Sequence, residues 1–156
     1  MEKKFELTDN FIINAFGVKL FQIKCTKSFK YAKEGDLGGY VEKDENLDQE
    51  SDAWVSGDAR VYGNAEVSGD AEVSGDAEID NNNKHCGFDC FGSANRHTHA
   101  YLTKENKVEI TCGCFRGSIE EFEKRVEETH SGTIYEKQYK AIIDVIKIKF
   151  GLTDLI

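Results

Sequence analysis

Read from Asp52, the chain runs DAWVSG, DARVYG, NAEVSG, DAEVSG and DAEI. Alanine recurs at 53, 59, 65, 71 and 77, valine or isoleucine at 55, 61, 67, 73 and 79, and glycine at 57, 63, 69 and 75. A period of six sustained in this way predicts a parallel β-helix, in which short strands wind into triangular coils. Each valine would point inward, and each alanine would fit a corner too tight for a larger side chain. Glycine and Asp or Asn supply the turns, through positive φ and local hydrogen bonds respectively. An array of β-hairpins is the plain alternative, and a valine at every sixth position is the wrong spacing for it.

The hexads before Asp52 are degenerate. Val41, Leu47 and Ala53 keep a common phase, while Gln49 stands where an inward apolar residue belongs. Only about two coils follow from so few repeats, and their open ends demand covers. Burying one valine contributes roughly 1.5–3 kcal/mol, which leaves such a stack dependent on caps or subunit contacts.

Residues 1–38 are expected to form an N-terminal β cap. Phe21, Ile23 and Cys25 alternate with Gln22 and Lys24 as in a half-buried strand, and the stretch 11–15 is its partner across a turn at Gly17. Residues 39–80 carry the repeats. The run Asn81, Asn82, Asn83, Lys84 is a polar break, and residues 84–156 are expected to form a second domain. Within it, 100–102 and 108–111 read as strands joined by a polar turn. Ser118 opens a helix with Glu121 as its capping-box partner, and Ile119, Phe122 and Val126 form its inner face. Ser131 and Gly132 separate it from a second helix carrying Tyr135, Tyr139, Ile142, Ile143, Ile146 and Phe150, ending near Gly151. Strands followed by helices make a small α+β unit. The fold class expected for the chain is therefore mainly β with an α+β tail.

The 29 acidic and 20 basic residues leave a net charge of −9. Such a surface repels phosphate polymers and anionic membranes, which argues against non-specific binding to either. It stays compatible with a local basic pocket. No apolar stretch follows the first lysines and no run is long enough to span a bilayer, so a cytoplasmic protein is expected. The five cysteines are odd in number and are expected as free thiols.

GDLGGYVEKDENL followed by DAWVSGDARVYGNAEV resembles the hexapeptide-repeat, polymer-forming-like proteins of bacteria and their prophages. FGSANRHTHAYL followed by CGCFRGSIEEFEKRVEETH is similar to a small domain that follows such repeats in phage proteins. Together these words span nearly the whole chain. The resemblance implies a short left-handed parallel β-helix with a C-terminal α+β domain of no established activity. His97 and His99 depart from it, since threonines are expected in that stretch.

Arg116 lies between Phe115 and Gly117, just before the helix start at Ser118. A guanidinium beside the free N–H groups of a helix N-terminus suits phosphate or carboxylate. Arg96, His99, Tyr101 and His130 are the residues that pairing of the two strands would bring near it. Pairing of Arg116 with Glu120 or Glu121 at the surface is the plain alternative. His85, Cys86, Cys90, His97, His99, Cys112 and Cys114 suggest zinc, but Cys-x-x-x-Cys and Cys-x-Cys are not the usual finger or ribbon spacings. Buried thiols acting as small hydrophobes account for them, so no metal, no cofactor and no catalytic set are expected. Asp52, Asp58, Asp70 and Asp76 divide between two edges of the triangle and read as turn formers.

The function these features favour is that of a non-enzymatic binding protein. With the phage resemblance, it would counteract a host defence by sequestering a nucleotide signal or by covering a host protein. A hexapeptide-repeat acyltransferase is the first alternative, but no histidine base occurs before His85. A structural or assembly protein is the second. Self-association is expected, with a trimer as the favoured order.

Overall fold

A computed structural model describes residues 2–152. They fall into two compact units that divide between Asn83 and Lys84.

The first unit opens with a hairpin, β1 (Phe5–Ile13) and β2 (Lys19–Cys25), antiparallel with Phe11 opposite Phe21 and a bulge between Leu7 and Phe11. β3 (Leu37–Val41) pairs antiparallel with β2 on one side. On its other side it pairs parallel with β5 (Arg60–Val61), which pairs parallel with β7 (Glu78–Ile79). The result is one mixed five-stranded sheet in the order β1-β2-β3-β5-β7. A second, two-stranded parallel sheet joins β4 (Trp54–Val55) to β6 (Glu72–Val73).

This arrangement corrects the fold class expected from the repeats. The described strands build five-, two- and four-stranded sheets with two α-helices, a mixed α+β fold, and none of those sheets closes or forms a solenoid. The left-handed parallel β-helix is overturned. The hexads do place Ala53, Ala59, Ala71 and Ala77 and Val55, Val61, Val67 and Val73 inside, all fully buried. They also pair in parallel eighteen residues apart, Val55 with Val73 and Val61 with Ile79. Yet each strand is only two residues long, and one ladder merges with the antiparallel hairpin instead of winding on alone. Where the degenerate hexads lie, Asp44–Asn46 forms a 3-10 turn and a single bridge joins Leu47 to Val67.

Gln49, out of place as an inward residue, has a different use. Its Oε1 accepts from the N–H groups of Lys4 and Phe5 at 2.8 and 3.1 Å, and its Nε2 donates to the Phe5 carbonyl at 3.0 Å. The buried Lys4 ammonium donates to the carbonyls of Ser51 and Ala53 at 2.7 and 2.5 Å. Burial pulls its pKa down to about 8. The first strand is thus tied to the repeats by polar side chains.

In the second unit, four antiparallel strands form a sheet in the order β11-β10-β9-β8. They are β8 (His85–Phe91), β9 (Arg96–Leu102), β10 (Val108–Cys112) and β11 (Phe115–Ser118). α1 (Ile119–His130) and α2 (Ile134–Lys149) follow. Ile119, Phe122 and Val126 of α1 and Tyr139, Ile142, Ile143 and Ile146 of α2 form one core with Ala100, Ile110 and Cys112 of the sheet. The capping box forms as expected: Ser118 Oγ accepts from the Glu121 N–H, and Glu121 Oε1 accepts from the Ser118 N–H, both at 3.1 Å. A Ser118→Ala substitution is expected to cost about 1 kcal/mol, read as a lower urea midpoint of the 222 nm circular dichroism signal. No shift would mean that the cap contributes nothing. Among the described residues, no helix is long and apolar enough to cross a membrane.

Candidate functional site

Period-two alternation divides the residues of β9 between the two faces of its sheet. Ala100, on the face that carries the helices, belongs to the core. Arg96 and Thr98 share its parity, while His97, His99 and Tyr101 take the other. Arg96 and His99 therefore cannot share one pocket, although the sequence places them three residues apart.

On the helix side lies an open cavity of about 310 Å³. Arg96 and His130 line it, joined by Arg125, Tyr139, Phe115 and Phe122, with Cys112 and Cys114 at its wall. Arg96 and Arg125 are exposed, and among the described residues neither has a carboxylate within ion-pair distance. Arg125 lies over the Phe115 ring, 5.5 Å from its centroid. The His130 ring stacks on Tyr139 at 5.5 Å. The Tyr139 hydroxyl sits 3.7 Å from Cys112 Sγ, which accepts from Thr98 Oγ1 at 3.3 Å. Burial pushes the Tyr139 hydroxyl well above its usual range, so it stays a neutral phenol. Gly113 makes room for Arg96. Its φ is +59°, and a methyl group there would overlap the guanidinium. Two cations thus face an aromatic-walled hollow in a chain of net charge −9.

The other sheet face carries Arg116, Tyr101 and His99. Arg116 Nε lies 3.8 Å from Glu109 Oε1, which also accepts from the Tyr101 hydroxyl at 2.5 Å. The helix N-terminus beside Arg116 is filled by its own capping box. Arg116 therefore pairs with a carboxylate, on Glu109 rather than Glu120 or Glu121. His99 is the centre of a row. Asp89 Oδ1 lies 2.5 Å from His97 Nδ1, His97 Nε2 lies 2.9 Å from His99 Nδ1, and His99 Nε2 lies 2.9 Å from His85 Nδ1. With the Asp89 carboxylate as acceptor, the row has one neutral arrangement, in which every Nδ1–H donates toward Asp89. Gly87 allows the row, because a Cβ there would collide with the His97 and His99 rings. Burial holds His85 down to about 4, with the Lys149 charge a lesser cause. Burial, then the neighbouring His85 and His97, holds His99 well below the usual imidazole range. Among the described residues, no three of His, Cys, Asp and Glu converge as metal ligands.

Of the five residues singled out from sequence, the cavity unites Arg96 and His130 and leaves out Arg116, His99 and Tyr101. Sequence reasoning missed Arg125. The available signal was helical spacing: Phe122, Arg125, Val126 and Thr129 stand at i, i+3, i+4 and i+7, so an arginine interrupts the inward stripe of α1. No protein-family model matches the chain, and no curated protein sequence matches it.

Proposed function

We propose that this protein is a non-enzymatic binding protein that holds a small anionic ligand of the nucleotide class in the cavity between Arg96 and Arg125. The observation that carries this reading is the pair of exposed guanidiniums without carboxylate partners beside the rings of Phe115, Phe122 and His130. Guanidinium offers forked N–H donors to phosphate, and aromatic walls suit a base. The resemblance to phage-borne repeat proteins suggests the use of such a site. A protein in a bacterial cytoplasm that withdraws a nucleotide signal would blunt a host defence. The five free thiols are compatible with that compartment.

Calorimetry of the full chain against cyclic nucleotides, nucleoside phosphates and ADP-ribose derivatives tests the reading. Arg96→Ala and Arg125→Ala should each weaken the best ligand by about tenfold or more, since a hydrogen bond to a charged group contributes roughly 1.5–3 kcal/mol. Arg116→Ala should leave affinity unchanged. Silence across the panel, or equal loss in all three variants, would remove the cavity as the site.

A further inference from the structure

Resting on that reading, we infer that the ligand is a single nucleotide bearing a terminal phosphate monoester, and not a cyclic phosphodiester or a dinucleotide. Two independent observations carry this. The first is size. At about 310 Å³ the cavity stands at the lower limit of small-ligand sites, which run from roughly 300 to 1,000 Å³. One base, one sugar and one phosphate suit that space, and a second nucleotide would project into solvent.

The second is charge. Arg96 and Arg125 both line the cavity, and neither is neutralised by a carboxylate among the described residues. A phosphate monoester carries a charge of about −1.5 to −2 at neutral pH, which matches the combined charge of the two arginines. A 3′,5′-cyclic mononucleotide carries a single charge and leaves one guanidinium without an equivalent partner, whereas a cyclic dinucleotide carries two and is set aside by size alone. Gly113 leaves room for Arg96 beside the cavity, since its φ is +59° and a Cβ there would overlap the guanidinium where it now lies. The Tyr139 phenol and Ser93 add neutral polar groups at the same lining. The Phe115 and Phe122 rings, 5.2 Å apart and tilted by 46°, supply the apolar wall for the base.

The test is calorimetry of the full chain with matched adenosine and uridine series: the 5′-monophosphate, the 3′,5′-cyclic monophosphate, the free nucleoside, a cyclic dinucleotide, and inorganic phosphate alone. One or both 5′-monophosphates should bind about tenfold or more tightly than every other probe. Gly113→Ala should lower that affinity as Arg96→Ala does, and Arg96→Lys should recover part of it. Circular dichroism of each variant separates lost binding from lost folding. Cyclic or dinucleotide probes that bind as tightly would overturn the monoester assignment while leaving an anion site in place. Inorganic phosphate binding as tightly as the monophosphates would overturn the nucleotide part. No binding by any probe would overturn this inference, and the proposed function falls with it when ADP-ribose derivatives are silent as well.

Discussion

Acidification from pH 7 to about 4 is expected to remove several kcal/mol of stability from the unit that holds the histidine row. His85 and His99 are held neutral in the fold, chiefly by burial, His85 with a pKa of about 4. In the unfolded chain both return to an ordinary value near 6.5. The unfolded state therefore binds protons first, and acid favours it. The contribution of the neutral His85 and His99 is complete above pH 6.5 and declines as the pH falls toward the folded value. Each unit of displacement corresponds to about 1.4 kcal/mol, so His85 alone accounts for roughly 3 kcal/mol. His99, only 4% exposed, acts in the same direction. The groups facing them are His97, Asp89 and the more distant Lys149, whose charge opposes protonation of His85. Urea midpoints at 222 nm, where the two helices dominate, would measure the slope. Carboxylates also titrate in this window, so the comparison with His85→Gln is decisive. The variant should show a shallower decline, and an unchanged slope would exclude the row as its source.

Phe122→Ala is expected to destabilise the same unit by roughly 3–5 kcal/mol, the range for deleting a buried aromatic ring. Phe122 is 3% exposed and joins the inward stripe of α1 to the core. Its ring meets Phe115 at 5.2 Å and Tyr139 edge-on at 5.5 Å. Truncation removes both ring contacts and leaves a hole in the core beside the cavity. Phe122→Leu retains most of the volume and should cost about half as much. Chemical unfolding of both variants would check the ranking, and a loss under about 1 kcal/mol for the alanine variant would place the ring outside the core. Because the ring also lines the cavity, ligand affinity should fall even in the leucine variant.

The elements of the second unit were legible because they depend on local chemistry. Ser118 and Glu121 declare a helix start within one turn. Ile119, Phe122 and Val126 declare its inner face, and the strands at 100–102 and 108–111 pair across their polar turn, Val108 opposite Leu102 and Ile110 opposite Ala100. The candidate site was legible only in part. Arg96, His99 and Tyr101 lie on β9, Arg116 on β11 and His130 at the end of α1, but sharing a sheet does not tell which face a residue takes until the register is known. One residue along a strand reverses the side. Parity sends Arg96 to the helices with His130, and His97, His99 and Tyr101 away from them.

The hexads mark the other boundary between sequence and fold. Their alanines and valines were bound to be buried, because no other placement spares so regular an apolar set from water, and all of them are. What those buried positions build was a tertiary matter. β3 could have opened a separate stack, but its backbone finds β2 on one side and β5 on the other, so β5 and β7 become the parallel end of a mixed sheet while β4 and β6 pair apart from it. Side-chain burial is decided by periodicity, which a sequence carries in full. Sheet membership is decided by which distant strand offers the unpaired N–H and C=O groups, and only the folded chain settles that.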